Sequence, residues 1–451
     1  MNNINRRKFL TTTGTLVAGT VITNSLSGLS SNVYAGNKMK LAAVGTGIRQ
    51  TDMFGKKLTK DYSDYVEYVG LCDINPGRLE YAKNYIGVNC PTFTDFDEMM
   101  RNVKPDKLIV TTVDSEHDQF IVKGLEYGVD VITEKPMTTD EIKAQAILDA
   151  ERRSKNSVIV TFNYRYSPHR RKIKELLMEN AIGKITSVDF HWYLDTEHGP
   201  RYFRRWHGLR EKGGTLLVHK STHHFDLVNW WLDSDPDEVM AYGDLEVFGS
   251  KGPFRSKSCR ACEFKDKCTY FYDITQDERN MRLYVDNEHY DGYIRDACIY
   301  RNEINIYDKM SVQVKYKNNV LLNYSLTTYS PYEGYRIAFN GTEGRIEAWI
   351  HERQTWPMEE YDEIMLIRNF EKPEYFRISN VEAGHGGGDK RMLDKLFKDP
   401  NQSDPLSQSA GTRDGCMSVL TGIAARKSID TGKPVLVSDL TDLGLMEQRP
   451  K

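Results

Sequence analysis

The chain has 451 residues, with 61 lysines and arginines against 64 aspartates and glutamates, for a formal net charge of −3. A surface this mildly acidic argues against a nucleic-acid partner, which would call for clustered basic charge. No stretch reaches the roughly 18 apolar residues a membrane-crossing helix requires.

The N-terminus reads as an address rather than as structure. Asn5-Arg6-Arg7-Lys8-Phe9-Leu10 precedes a short, mildly apolar stretch from Leu16 to Ile22, and Val33-Tyr34-Ala35 offers a small-residue cleavage site. This is the pattern of a twin-arginine export signal over residues 1–35, which predicts a periplasmic or otherwise exported protein. Its removal leaves 416 residues, enough for two cores, and takes away Arg6, Arg7 and Lys8, moving the net charge from −3 to −6.

The apolar run Lys40 to Val44 then breaks into Gly45-Thr46-Gly47-Ile48-Arg49-Gln50, the strand-then-glycine turn of a dinucleotide site. Two glycines let the backbone approach a pyrophosphate beside a helix N-terminus, while Gln50 stands where a third glycine would permit close helix–strand packing. The next strand, from Tyr65 to Cys72, ends at Asp73, 28 residues beyond Gly45. A carboxylate there suits the adenosine ribose and disfavours a 2′-phosphate, pointing to NAD. The plainer reading of Asp73 is a helix cap. Strand–helix units follow at Lys107 to Thr112 with His117 to Tyr127, and at Val129 to Thr133 with a helix after Thr139. This alternation predicts a parallel Rossmann sheet over 36–162, with Thr112, Asp114, His117, Glu134, Lys135 and Asn163 at the strand ends where ligands bind.

A second domain is expected over 163–405, with antiparallel strands in a sheet of its own. Alternating patterns at Ser311 to Tyr316, Val320 to Thr327, Tyr335 to Phe339 and Arg345 to Ile350 supply strands, and Gly341-Thr342-Glu343-Gly344 a hairpin turn. Leu217 to Trp231 reads as one helix placing His219 and His223 a turn apart on one face. Tyr202, Trp206 and His207 mix rings with polar groups, as sugar recognition demands, though a domain interface has the same composition. Gly384 to Asp389 opens a helix from which His385 reaches toward the pocket. Cys259, Cys262 and Cys268 lie in an insertion over 250–290. Their spacing suits disulfides in an oxidising compartment, or alternatively a structural zinc with Cys298 or His289 as fourth ligand. Cys72, Cys90 and Cys416 read as core residues. A helix from Ala410 to Thr431 in the 406–451 tail packs back on the body.

The glycine pair, Asp73, the segment Thr112 to His117, Glu134-Lys135-Pro136, Asn163-Tyr164-Arg165-Tyr166 and the run Gly213-Gly214 through His223 to Asp226 together resemble the Gfo/Idh/MocA family, named for glucose-fructose oxidoreductase, inositol dehydrogenase and rhizopine catabolism. The resemblance spans nearly everything after residue 35 and implies a Rossmann domain followed by an α/β domain whose open, mostly antiparallel sheet supports substrate binding and a homodimer or homotetramer. In the family pattern an aspartate stands at position 219 and the catalytic histidine matches His223. Here position 219 is His219, a departure that sets aside a simple proton relay copied from inositol dehydrogenase.

Hydride transfer from a secondary alcohol needs a base, a cation for the developing oxygen charge, and an acceptor against the C–H bond. His223, with His219 as second candidate, is expected to take the proton, Lys135 to polarise the oxygen, and NAD to accept the hydride. Asn163 and Arg165 would position nicotinamide or substrate, and no catalytic metal is expected. The reading is an NAD-dependent oxidoreductase acting on a sugar or glycoside hydroxyl such as C3, with cofactor tightly held because free NAD is scarce outside the inner membrane. Its rivals are a glycosidase working by transient oxidation and elimination, and a carbohydrate-binding protein with a structural cofactor.

Overall fold

Six strands, β1 (Met39–Val44), β2 (Val66–Cys72), β3 (Thr92–Phe93), β4 (Lys107–Val110), β5 (Asp130–Thr133) and β6 (Val158–Val160), form the first sheet of the computed structural model, which describes residues 38–380 and 386–442. The expected export signal and His385 lie outside the described residues. All pairings in this sheet are parallel, in the order β3-β2-β1-β4-β5-β6, the doubly wound arrangement expected from the strand–helix alternation. Both faces are covered, so the strands read as unbroken apolar runs and Leu41, Ala42, Ala43 and Leu108 are fully buried.

Local signals fix the helices between them. Asn75 accepts the Arg78 N–H at 3.0 Å with Pro76 in the first turn, and Asp140 accepts the Lys143 N–H at 3.0 Å to start Glu141–Arg153. Gln50, in place of the third glycine, is buried and donates from Nε2 to the Tyr68 hydroxyl at 3.0 Å. The segment that follows, Gln50–Lys56, winds in the wider π geometry, and a hydrogen bond replaces bare backbone packing.

The second sheet has nine strands: β7 (Ile185–Asp195), β8 (Pro236–Asp244), β9 (Lys309–Tyr316), β10 (Leu321–Ser330), β11 (Glu333–Gly341), β12 (Gly344–Arg353), β13 (Tyr361–Arg368), β14 (Glu374–Ser379) and β15 (Val435–Leu436). Their order is β14-β13-β12-β11-β7-β10-β9-β8-β15, antiparallel throughout except between β7 and β10. Met310, Val312, Val314 and Tyr316 of β9 and Leu322, Tyr324 and Leu326 of β10 face the core in strict alternation. The helix Thr412–Thr431 docks on this domain, where Ser418 shares a 2.9 Å hydrogen bond with Thr222 and Ser428 Oγ accepts the Ala241 N–H at 3.0 Å.

Two expectations need correction. Leu217 to Trp231 is not one helix: Leu216–His219 and Ser221–Leu232 are separate, with Lys220 between them, so His219 and His223 do not share a helical face. Arg165 is no substrate ligand. Its guanidinium, 1% exposed, bonds Asp226 at 2.8 and 2.5 Å, Asp414 at 2.9 Å and the Ser407 carbonyl at 3.2 Å, and so clamps the link between the lobes to two core helices. Removing one member of such a buried pair strands the others' charge. Arg165→Ala should therefore lower the unfolding free energy by about 3–5 kcal/mol in denaturant titration; unchanged stability with lost activity would return Arg165 to the substrate site.

Candidate functional site

The carboxyl ends of β1, β2, β4 and β5 converge on one edge, at the switch point between β2-β1 and β4-β5. Gly45 turns the chain there with φ +86°, and a Cβ would come within 2.7 Å of the Thr111 carbonyl carbon, so no other residue lets β1 turn against β4. Asp73 accepts the Thr46 N–H at 2.7 Å, the Thr46 hydroxyl at 3.0 Å and the Asn75 N–H at 2.9 Å. These bonds aim its carboxylate beside the glycine turn, where a ribose would lie. Arg49 pairs with Glu134 at 2.7 Å, bringing together two residues singled out separately. Thr112 keeps part of its surface at this edge, and Asn163, just past β6, donates to Asp389 at 2.5 Å. His117 is a correction: its ring is buried between the carbonyls of Pro136 (2.8 Å) and Thr112 (3.2 Å), so it braces the strand ends rather than facing a ligand.

Asp114 also departs from expectation, and it answers the puzzle of position 219. Instead of lining the cofactor crevice, its carboxylate crosses to the second domain and meets His219 Nδ1 at 2.5 Å. A carboxylate from 105 residues upstream thus stands beside the histidine at position 219. Burial raises the Asp114 carboxyl well above its ordinary range, against the pull of Lys135. Burial and the Lys135 charge hold His219 well below its own, so the imidazole is neutral at physiological pH. The backbone before it is strained. Thr215 has φ +84°, which costs about 1–3 kcal/mol in a non-glycine residue, and its carbonyl accepts the His219 N–H at 2.8 Å.

Lys135 donates to the His219 carbonyl at 3.1 Å. Desolvation lowers its pKa to about 8, with Lys220 and Arg49 pushing the same way and Asp114 and Glu134 opposing them. Tyr202, Trp206 and His207 gather as expected: the His207 ring lies 4.2 Å from His219 and 3.7 Å from Trp206, and Tyr202 lies 5.4 Å from His219. His223 stacks on Tyr164 with ring centroids 4.1 Å apart, and Lys220 donates to the Tyr164 hydroxyl at 3.1 Å. His198 adds a pair the sequence did not disclose, with Nδ1 2.7 Å from Glu333 and Nε2 3.0 Å from the Tyr202 hydroxyl. Despite burial, the His198 hydrogen bond and the nearby charges hold the Glu333 carboxyl down to about 2. No local signal marks a partnership across 135 positions.

The insertion supplies a further layer that sequence reasoning missed. Its segment 278–291 crosses onto the Rossmann domain, where the Tyr284 hydroxyl accepts the Ile48 N–H at 2.9 Å and the Asn287 carbonyl accepts from Asn75 Nδ2 at 2.9 Å. Arg279 pairs with Asp52, and Asp291 with Arg78. Gly77 leaves room for this contact, since a Cβ there would come within 1.9 Å of Asn287 Oδ1 and push that side chain aside. The disulfides favoured for the insertion do not form: Cys259, Cys262, Cys268 and Cys298 are free thiols. Cys259 and Cys298 lie on paired segments joined by the Ser258–Ala297 bridge, yet no group of three or more His, Cys, Asp or Glu side chains among the described residues is arranged to hold a metal. Cys72, Cys90 and Cys416 are buried in the core.

The glycine turn and the oriented Asp73 suit the pyrophosphate and ribose of a dinucleotide, while the Ile48 N–H is held by the Tyr284 hydroxyl. Residues 39–162 match the model of the Gfo/Idh/MocA oxidoreductase family's NAD-binding Rossmann fold, and residues 174–437 match that of its C-terminal alpha/beta domain. YteT of Bacillus subtilis, provisionally named an oxidoreductase, is 40% identical over 419 residues, covering 88% of this chain and 97% of its own length. An inositol 2-dehydrogenase/D-chiro-inositol 3-dehydrogenase of Lactiplantibacillus plantarum is 23% identical over 47% of this chain and 56% of its own. Among solved structures, the WlbA dehydrogenase of Bordetella pertussis, in complex with NADH and UDP-GlcNAcA, superposes with a TM-score of 0.60 at 16% identity, covering 89% of this chain and 99% of that one. That likeness is one of fold.

The charges around Lys135 set a titration that NMR of isotopically methylated lysines can follow. Lys135 should titrate near pH 8. In Asp114→Asn, which removes the carboxylate that stabilises the ammonium, the midpoint should fall further; an unmoved midpoint would mean the two groups do not interact.

Proposed function

The chain belongs to the Gfo/Idh/MocA oxidoreductase family, and from that premise we propose that it oxidises a secondary hydroxyl of a sugar or glycoside with a tightly held, recycled NAD. The observation that carries this reading is the convergence of the Lys135 ammonium and the Asp114–His219 pair at the carboxyl ends of the Rossmann strands. Bound NAD supplies the acceptor for hydride.

Everything else falls to the chain's own groups. Lys135, charged below about pH 8, polarises the substrate oxygen. His219 is neutral, its Nδ1 is engaged by Asp114, and its Nε2 is left as the proton acceptor, the division of labour by which a carboxylate orients a catalytic imidazole. The geometry favours His219 over His223, whose ring packs flat on Tyr164. Trp206 and Tyr202 offer apolar faces for the C–H side of a sugar ring, and His207 and Lys220 offer donors for its hydroxyls.

Two features support NAD held tightly. The Asp73 carboxylate disfavours a 2′-phosphate, and the 278–291 segment covers the glycine turn through Tyr284, so release requires that strap to lift. Retention also suits the twin-arginine pattern of residues 1–35, since the folded protein would carry its cofactor to an exported site.

Denaturing the purified protein should release a stoichiometric amount of NAD, and Tyr284→Phe should speed its loss from the native protein; an enzyme that purifies empty and needs millimolar NAD would contradict the retention. Lys135→Met should lower kcat/KM by about 10²–10⁴-fold with NAD still bound. Full activity in that variant would overturn the assignment, and a larger loss in His223→Gln than in His219→Gln would move the base to His223. Aryl glycosides that release their aglycone with no net reduction would recast the protein as a redox-neutral glycosidase.

A further inference from the structure

Guanidiniums at the junction of the two domains carry carboxylate partners. Arg49 has Glu134, Arg78 has Asp73 and Asp291, Arg279 has Asp52, and Arg165 has Asp226 and Asp414. Arg295 breaks this rule. It is 5% exposed, forms no ion pair among the described residues, and its buried Nη2 meets no acceptor. Its side chain rests instead on two tyrosines: the guanidinium lies 4.4 Å from the centre of the Tyr284 ring, and Nη1 donates to the Tyr293 hydroxyl at 3.4 Å.

Tyr284 places this unmatched charge at the glycine turn. Its hydroxyl accepts the Ile48 N–H at 2.9 Å, and a Cβ built on Gly47 would come within 3.3 Å of the same oxygen. That bond uses a lone pair of the hydroxyl, and the hydroxyl's own proton meets no acceptor among the described residues. Accepting from an N–H also makes an O–H a stronger donor. The segment is fixed in place by separate contacts, from Asn75 Nδ2 to the Asn287 carbonyl at 2.9 Å and through the pairs Arg279–Asp52 and Arg78–Asp291. Two uncommitted donors, one of them fully charged, are thus held beside the turn. A buried guanidinium without a counter-ion is costly unless an anion completes it, and its planar fork suits phosphate oxygens.

Resting on the NAD-dependent reading above, we propose that Arg295 and the Tyr284 hydroxyl form the outer half of the cofactor's pyrophosphate site, so that the diphosphate is gripped between the glycine turn and the insertion of the second domain. The strap is then a ligand as well as a cover. Asp52, Asp73, Asp291 and Glu134 each have a cation of their own, which leaves the Arg295 charge for the diphosphate. The same donors suit a free phosphate, but the Asp73 carboxylate, aimed beside the same turn by the Thr46 N–H at 2.7 Å, favours a ligand that also carries a ribose.

Binding, rather than turnover, tests the site. In calorimetry on the full-length protein prepared free of nucleotide, Arg295→Gln should bind NAD and ADP-ribose about 10- to 100-fold more weakly than wild type, the scale of a charge-assisted hydrogen bond, while adenosine, which has no pyrophosphate, should bind both equally. Arg295→Lys keeps a charge over the Tyr284 ring but loses the fork; its loss should fall between, and it decides the matter should the glutamine variant fold poorly. Affinity for NAD unmoved by both variants overturns the proposal. Equal losses for NAD and adenosine also overturn it and leave Arg295 the role of holding the strap. Inorganic pyrophosphate bound as tightly as ADP-ribose overturns it in favour of a free anion. Failure of the oxidoreductase reading would show separately, as wild-type protein that binds NAD with these differences yet oxidises no sugar.

Discussion

Everything in the cleft is arranged around the cost of burying one ammonium group. Lys135 loses much of its hydration at the end of β5, and a lysine so placed tends to shed its proton. Asp114 and Glu134 oppose that tendency, but each is already engaged, one with His219 and the other with Arg49. The result is a cation kept charged at neutral pH yet only partly compensated. Such a group has the most to gain from a negative charge that develops on a substrate oxygen.

The compensation binds the two domains together. Asp114 leaves the Rossmann sheet to orient a histidine of the second domain, and that domain's insertion returns the contact by laying Tyr284, Asn287 and Asp291 on the glycine turn and the start of the helix Pro76–Ile86. Arg165 fixes the hinge between them through Asp226 and Asp414. A proton acceptor built across a domain boundary works only while both sides are held in register. The buried ion pairs are better explained by that registration than by any net stabilisation of their own.

The Rossmann half was legible in the sequence for a physical reason: strands covered on both faces are continuous apolar runs, and Gly45, Asn75, Pro76 and Asp140 mark the turns and caps that frame them. The central strands of the second sheet were legible from alternation. β13 and β14 were not: β14 is exposed along most of its length, and the buried row of β13 opens on the polar Asp362 ahead of Ile364 and Leu366. The break at Lys220 was hidden inside an unbroken helical pattern, as it depends on the strained Thr215 turn and on tertiary contacts. Lys135, His219, Tyr202, Trp206 and His207 were found by type and position. Their partners Asp114, His198, Glu333 and Tyr284 were given other roles or none, since no spacing rule reports a contact between residues more than 100 positions apart.

The charge of Lys135 during the reaction is the central claim, and single-turnover reduction of the enzyme's own bound NAD tests it most directly. Mixed with a glycoside and no added cofactor, the protein should develop the near-ultraviolet absorbance of reduced nicotinamide at a rate that falls as pH rises through about 8, where the ammonium is lost. A rate that stays level or climbs through that range, with NAD and sugar both shown to be bound, would contradict the account.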